Sequence, residues 1–472
     1  MPTTNTILKS QLQGSLRIDA QFYQPRFIAN RLHFTPSASR PLGILAQTFR
    51  KGIFDINASS YSDNGVPFIR ILNLGNGLID DSDLVYIPEE IHQREFKTAL
   101  QQGDIILSKT AYPAASLVNI QKCNTSQDTI AVRIDSRWKR EFKAGFIVAF
   151  LNSQYGLLLM EQWFQGNIQM HLALPDAKRI PIPKFSIDFQ TKIESLLWKA
   201  DDELKGAKSV LSEANSLLLD TLSLLTWEPP HLHSFAVQSS RSLSTQRLDA
   251  EHFQPKYDDL LARISTRFRC LPLSRLVTFI NHGKQPPYSP DGNHFVFTQK
   301  FIGDSTINYD FPSDPDTKRT SSSFANTFPD YVLGKFDILH YSVGGNIGYC
   351  HAYLEPAIKA MPGSFVTLIR ANADLIQPLY LAFTLNSLVG RMQTHKWKSA
   401  TAQPYIYPKD IKRIAIPILP SEIQTQISSA IEHAHEARKE AHSFLSKATR
   451  SVEIAIEQGE QSAMAFLNGE QK

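Results

Sequence analysis

Cysteine is scarce in this chain. Three residues in 472, Cys123, Cys270 and Cys350, stand far apart with no CxxC pair. That excludes a disulfide framework and a thiolate zinc site, and reads as free thiols in a cytoplasmic protein. Charge of one sign is also lacking. Lys and Arg number 49 against 45 Asp and Glu, a net of +4, which excludes a histone-like polycation but permits a local basic face. No run approaches the roughly 18 to 20 apolar residues of a membrane span, and the first residues lack the apolar stretch of a signal peptide. No membrane partner is expected. Catalytic signatures are missing as well: no HExxH, GxSxG elbow, P-loop or paired-carboxylate motif is present. Gly344-Gly-Asn-Ile-Gly348 does not have the GxGxxG spacing of a dinucleotide loop. No catalytic residue, metal ligand or cofactor is expected in this chain.

What the sequence does contain is a long internal repeat. Arg17-Ile-Asp-Ala-Gln-Phe-Tyr-Gln-Pro-Arg-Phe27 returns as Arg247-Leu-Asp-Ala-Glu-His-Phe-Gln-Pro-Lys-Tyr257. Asp104-Ile-Ile-Leu107 is echoed by Asp337-Ile-Leu339, Leu151-Asn-Ser153 by Leu385-Asn-Ser387, and Trp163 by Trp397. Asp176-Ala-Lys-Arg-Ile-Pro-Ile-Pro183 reappears as Asp410-Ile-Lys-Arg-Ile-Ala-Ile-Pro417. The offset drifts only from 230 (Arg17 to Arg247) to 234 (Asp176 to Asp410), so order is kept throughout. A unit this long is a domain and not a solenoid repeat. Two copies of one domain suggest a ligand that is itself two-fold, with duplex DNA carrying a split target as the leading candidate.

Each half has the same internal order. Strand-like runs occur at Val66–Leu72, Asp104–Leu107 and Thr129–Ile134, and at His294–Thr298, Asp337–Tyr341 and Ser364–Arg370, punctuated by Gly, Pro, Asn and Asp. One helix is expected near Gly145–Phe164 and its counterpart near Leu379–Lys396. A proline-containing strand then closes each globular part, as suits an edge strand. A seven-residue apolar pattern follows. In the first copy Ile193, Ala200, Ala207 and Ala214 form one row, and Leu197, Leu204, Leu211 and Leu218 the other. In the second, Ile427, Ala434, Ala441 and Ala448 form one row, and Ile431, Leu445 and Val452 the other, with Arg438 where Leu204 stood. A heptad repeat of this length is a coiled-coil seam, and the alanine row would let two helices approach closely. Each helix would span about 50 to 57 Å. The expected fold is therefore α/β (α+β): two similar globular domains joined by two long helices in an antiparallel coiled coil. The expected boundaries are 1–187, helix 188–226, a Ser-rich linker 227–245, 246–420, helix 421–460 and a tail 461–472. His433 and His435, two apart on a helix, point to different faces and are expected to be solvated.

Basic, amide and aromatic side chains in loops beside strands are what a nucleic acid needs, since phosphate contacts position a protein and base-edge contacts specify sequence. The candidates in the first half are Arg70, Asn73, Lys109, Tyr112, Gln169 and His171. In the second half they are Gln299, Lys300, Tyr341, Asn346, Lys398, Gln403 and Tyr405. They fall where the two halves diverge most, the pattern expected of one scaffold carrying two recognition surfaces. Gln285-Pro-Pro-Tyr288 approximates the motif by which amino-methyltransferases hold a flipped base. Its first residue is Gln, no cofactor loop precedes it, and the equivalent stretch Lys51–Asn57 lacks it.

The paired Asp-Ala-…-Gln-Pro segments, the Asp-Ile-Ile-Leu strand, Ala402-Gln403-Pro404 leading into Asp410–Pro417, and the Gln190 or Gln424 opening each long helix are arranged twice in one order. In this the chain resembles the specificity (S) subunit of type I restriction–modification systems. The resemblance covers essentially the whole length. It implies two target-recognition domains, each reading one half of a bipartite DNA target. It further implies helices that set the gap between the halves and dock two modification (methyltransferase) subunits, and it allows restriction subunits. S-adenosylmethionine, ATP and Mg would belong to those partner subunits. A specificity subunit of a related methylation-based phage-defence system and an intrinsic DNA methyltransferase are the alternatives. Two features depart from the pattern. Phe189 and Ile423 stand where an acidic residue usually precedes the helix-opening Gln, and Gly166–His171 replaces an Ala-Gln-Pro type turn.

Overall fold

The computed structural model describes residues 6–7, 12, 17–35, 37–166, 170–399 and 403–470. It divides into two compact units, Met1–Lys205 with Ala437–Lys472, and Gly206–Glu436. The units are not the two sequence halves. Each takes part of both long helices, α1 (Ile187–Thr221) and α2 (Ser421–Gln458).

In the first unit, β1 (Ala46–Lys51), β2 (Gly77–Leu78), β3 (Ile105–Ser108), β4 (Ala115–Leu117) and β5 (Thr129–Ile134) form one sheet in the order β1-β5-β3-β4-β2. In the second, β6 (Val277–His282), β7 (Ile338–Tyr341), β8 (Cys350–Ala352) and β9 (Val366–Ala371) follow the same order, β6-β9-β7-β8. Successive Val, Ile and Leu residues on β3 and β5 are fully buried because both faces of this sheet are covered. A second small sheet also recurs. Val66–Ile69 pairs in parallel with Lys122–Thr125, as His294–Phe297 does with Ala360–Pro362. The proline strands lie as expected on two-stranded edges, Pro181–Pro183 with Ser39–Pro41 and Ala415–Pro417 with Cys270–Pro272.

The repeated polar residues are structural locks. Asp104 is 5% exposed at its side chain and takes a forked ion pair from Arg133 (2.6 Å at the shortest). Its carboxylate also accepts from the Gln101 amide (2.9 Å). Asp337 does the same with Arg370 (2.8 and 3.0 Å) and the Gly334 amide (2.9 Å). The helix-opening glutamines are equally alike. Gln190 accepts from the Lys143 amide (3.0 Å) and donates to the Phe185 carbonyl (2.9 Å). Gln424 accepts from the Gln377 amide (3.2 Å) and donates to the Leu419 carbonyl (2.9 Å). Each thereby ties the start of a long helix to the N-cap residue of an earlier helix, Ala144–Leu151 or Pro378–Asn386.

The expected single helix in each half is in fact two: Ala144–Leu151 and Gln154–Trp163 in one, Pro378–Asn386 and Leu388–Trp397 in the other. Ser153 and Ser387 break them, each accepting as N-cap from a following amide (Gly156 and Val389, both 3.2 Å). Gly156 and Gly390 then follow, because a Cβ there would sit 2.1 Å from the Phe150 or Leu385 carbonyl oxygen. The linker 227–245 carries an exposed helix at Ser239–Thr245, and the tail contains a helix at Glu460–Asn468 whose Ala463 is buried in the first unit.

The two heptad rows differ in burial. Ile193, Ala200, Ala207 and Ala214 are buried, as are Ile427, Ala434, Ala441 and Ala448. Leu204, Leu211, Ile431, Arg438 and Leu445 are half-buried, and Leu197, Leu218 and Val452 are buried. Within the first unit Ile193, Leu197 and Ala200 share an apolar cluster with Ala441, Ala448 and Val452, while in the second Leu218 shares one with Ile427. The start of α1 is thus grouped with the end of α2, and the end of α1 with the start of α2, which is the antiparallel pattern. His435 is not solvated: its ring packs on Tyr309 (5.2 Å) and Nε2 lies 2.9 Å from Glu355.

Because Asp104 is nearly inaccessible, Asp104→Ala leaves the partly exposed Arg133 guanidinium and the Gln101 amide without their buried acceptor. The expected loss is about 1 to 3 kcal/mol of first-unit stability, read as a lower urea midpoint. A midpoint unchanged from wild type would contradict a structural role for this pair.

Candidate nucleic-acid interface

In the first unit, Lys109, Tyr112 and His171 are brought together. The Lys109 carbonyl accepts from the Leu172 amide (2.8 Å), the Ala111 amide donates to the Met170 carbonyl (3.2 Å), and Thr110 bridges to His171. Ala111 adopts a left-handed backbone (φ 62°) at the tip, a conformation costly for a residue with a Cβ and typical of functional turns. Tyr112 is 43% exposed, and its hydroxyl donates to the Ile71 carbonyl (3.3 Å). Burial, and then the neighbouring Lys51, hold the Lys109 ammonium below the ordinary lysine range. Beside them Ala111, Tyr112, Leu157, Glu161, Phe164 and Met170 line a cavity of about 360 Å³. Gln169 lies outside the described residues. Arg70 and Asn73 are committed elsewhere. Arg70 donates to the Asp83 carbonyl (2.6 Å) and carboxylate (2.8 Å). Asn73 is 2% exposed and donates to the Asp80 and Asp83 carbonyls. Both shape the 70–83 loop, and Asn73 offers no open surface.

In the second unit, Tyr341, Asn346, Lys398, Gln403 and Tyr405 belong to strands and loops that meet. Tyr405 bridges to both Val343 and Ser399, and the Gly344 amide donates to the Pro404 carbonyl (2.9 Å). Asn346 and Gln403 are exposed, while Tyr341, Lys398 and Tyr405 are half-buried. Lys398 reaches His395 (2.9 Å). Gln299 and Lys300 sit on a separate 3-10 turn, where Lys300 pairs with Asp314 (2.9 Å).

Sequence reasoning missed one segment in each unit. β1 ends at Lys51-Gly52 and β6 at His282-Gly283. A Cβ on Gly52 would sit 2.1 Å from the Ser126 carbonyl oxygen, and one on Gly283 2.2 Å from that of Pro362. Both glycines are therefore required, and past them the sequences part. The first unit presents Phe54, 61% exposed with Lys51 over its ring (4.5 Å). The second presents Tyr288, 54% exposed and bonded to Gln285 (2.9 Å), whose carbonyl accepts from Ser364 (3.2 Å). Here Gln285-Pro-Pro-Tyr288 is a surface strap. A glycine shared by the two copies and followed by divergence was the signal available in the sequence.

Behind this strap the second unit holds a buried polar chain that has no counterpart among the described residues of the first, where the position of His340 on β7 falls to Leu107 on β3. His340 contacts the Ser342 hydroxyl (3.0 Å), Ser342 the Thr367 hydroxyl (2.7 Å), and Thr367 His282 (3.0 Å), whose ring faces Tyr407 (6.2 Å). Burial pushes the His340 imidazole from 6.5 down to about 3, and burial also lowers that of His282. A folded pKa below the unfolded one means that the unfolded chain binds more protons in this window. The stability contributed by neutral His340 is thus complete above 6.5 and lost as pH falls toward about 3. The second unit should weaken on acidification across that window, and His340→Gln should flatten the dependence, measured as urea midpoints at several pH values. An equally steep loss in the variant would remove His340 as its cause.

The three cysteines are free, with Cys123 and Cys350 buried. Among the described residues no cluster of three His, Cys, Asp or Glu is suited to a metal ion, and no single helix is long and apolar enough to cross a membrane. No protein-family model and no curated protein matches the chain. Among solved structures it is similar to the S subunit of a type I restriction–modification system from M. genitalium, with 14% identity, 92% of this chain and 97% of that chain covered, and a TM-score of 0.41. It is also similar to the HsdS subunit from Thermoanaerobacter tengcongensis, with 15% identity, coverage of 93% and 96%, and a TM-score of 0.26. A third similar chain comes from work on complex assembly and conformational transition of the type I R-M system, with 16% identity, coverage of 92% and 98%, and a TM-score of 0.28.

Proposed function

We propose that this chain is the non-catalytic, sequence-specific DNA-binding subunit of a type I restriction–modification complex. The observation that carries the proposal is the contrast within the repeat. Both units keep the same sheet order, buried Asp–Arg pair, glutamine tie and required glycine. They differ in the residues those features hold at the surface. A scaffold held constant under two diverged loop sets suits two half-sites of different sequence in one double-stranded target. Lys109, Tyr112 and His171 would face one half-site, and Asn346, Gln403 and Tyr405 the other. The α1 and α2 seam residues Ile193, Leu197, Leu204, Leu211 and Leu218, and Ile427, Ile431, Leu445 and Val452, would set the gap. Methyl transfer from S-adenosylmethionine, and any ATP- and Mg-dependent step, would be the work of two modification subunits and of restriction subunits where these exist.

Two experiments test this. Tyr112→Ala and Lys109→Ala should relax or weaken one half of the methylated motif and leave the other intact, since a good base contact contributes roughly 1 to 3 kcal/mol of discrimination. Mapping methylated adenines across a genome reads this directly, and equal damage to both half-sites would contradict the assignment of one half-site to each unit. The second experiment lengthens both helices by one heptad, which keeps the seam in register. The gap between the two halves of the motif should lengthen, and an active variant with its gap unchanged would show that the helices do not set it.

A further inference from the structure

Among the described residues, the two most exposed large aliphatic side chains are Leu248 at 92% and Ile18 at 85%. They occupy the same place in the repeat, inside its most similar stretch, Arg-Ile/Leu-Asp-Ala. Single exposed apolar residues are ordinary on a protein surface. The same one exposed twice, where flanking residues are kept and surface loops elsewhere have parted, is not scatter.

Local geometry holds these side chains outward. Arg17 forks onto Asp19 (2.7 and 2.9 Å), and Arg247 onto Asp249 (2.8 and 2.7 Å). The two forked side chains of each pair lie on one side of the chain, and the residue between them is the exposed one. Each fork is itself anchored to its unit. Asp19 accepts from the Phe22 amide (3.0 Å), and the Arg17 guanidinium lies 4.5 Å over the Phe22 ring. Arg247 donates to the Trp397 and Lys398 carbonyls (3.0 and 2.8 Å). In each fork the arginine is the turned-in member, 17% exposed in both, the aspartate stays partly exposed, and Ile18 or Leu248 is presented to solvent on a held backbone. Pre-ordering of this kind lowers the entropic cost of docking.

We infer that Ile18 and Leu248 are equivalent docking anchors, one per unit, that engage two copies of a single partner protein by insertion into an apolar socket. The inference rests on the specificity-subunit reading above, and it makes that partner the modification subunit. Nucleic acid is a poor occupant, because an aliphatic side chain beside a carboxylate offers nothing to phosphate. A surface reading two different half-sites would also have diverged between the units as the loops did. One partner used twice explains why this surface did not.

The test co-expresses the full chain with the methyltransferase subunit and counts subunits by native mass spectrometry. The wild type should carry two copies. Ile18→Asp and Leu248→Asp should each retain one, with roughly 30-fold weaker binding at the altered unit, the size of a hot-spot loss, and the double variant should retain none. Ile18→Leu and Leu248→Ile should keep both. Thermal melts of the single variants should match wild type, since neither side chain contributes to a core. Single variants that still hold two copies at wild-type affinity overturn the inference. So would self-association of the wild-type chain that the variants lose while the methyltransferase count stays unchanged. A wild-type chain that binds no methyltransferase subunit sinks the specificity-subunit reading first and is distinguishable from both.

Discussion

The alanine row on the two long helices is the constraint on which the remaining architecture depends. Ala200, Ala207 and Ala214 on α1, and Ala434, Ala441 and Ala448 on α2, are all buried. Side chains this small let helix backbones pack closely but contribute little apolar area of their own. The free energy of that packing comes from the larger residues at its ends. Ile193, Leu197 and Val452 join the core of the first unit, and Leu218 and Ile427 that of the second. The first unit does not complete its core from a contiguous stretch of chain: it needs the end of α2 and the helix after it. The second unit is contiguous, Gly206–Glu436, and takes in the end of α1 and the start of α2. In the first unit, helix pairing and core formation are therefore linked, and Glu460–Asn468 packs on that unit and does not trail as a tail.

Polar residues within each unit divide into two classes by burial. Asp104, Asp337, Gln190 and Gln424 are nearly inaccessible and fully bonded, so they recur with the same partners in both copies. An unpaired group at such a site would carry its whole desolvation penalty, which leaves little room for drift. Surface residues carry no such penalty. Past Gly52 and Gly283 the backbone leaves the sheet in the same manner, and the chemistry it then presents differs, Phe54 in one unit and Gln285 with Tyr288 in the other. A pair of units built like this can change what it reads without changing how it folds. Ile18 and Leu248 stand apart from both classes, being exposed and yet alike.

How much was legible in the sequence follows from how local each signal is. The repeat, the strand runs on β3, β5, β7 and β9, the proline edge strands and the heptad rows all rest on spacing along the chain, and spacing survives without knowledge of the fold. The break in each helix pair was present as Leu-Asn-Ser followed by Gly. An apolar run masked it, because Ser153 and Ser387 cap helices that are both buried and so show no amphipathic change. Of the candidate interface residues, Lys109, Tyr112 and His171 come together, as do Asn346, Gln403 and Tyr405. Asn73 had the right chemistry for a base contact, but three backbone hydrogen bonds claim its amide.

By itself the sequence determined that two similar α/β units exist and that two heptad helices follow them. These are properties of composition and periodicity. Only the tertiary structure decided which segments make up each unit, that His340 and Asn73 are buried while Ile18 and Leu248 are not, and that the chain past Gly52 and Gly283 carries the exposed aromatic residues. Burial is set by what packs opposite a residue, and that partner lies from tens to hundreds of residues away. No local pattern carries that information.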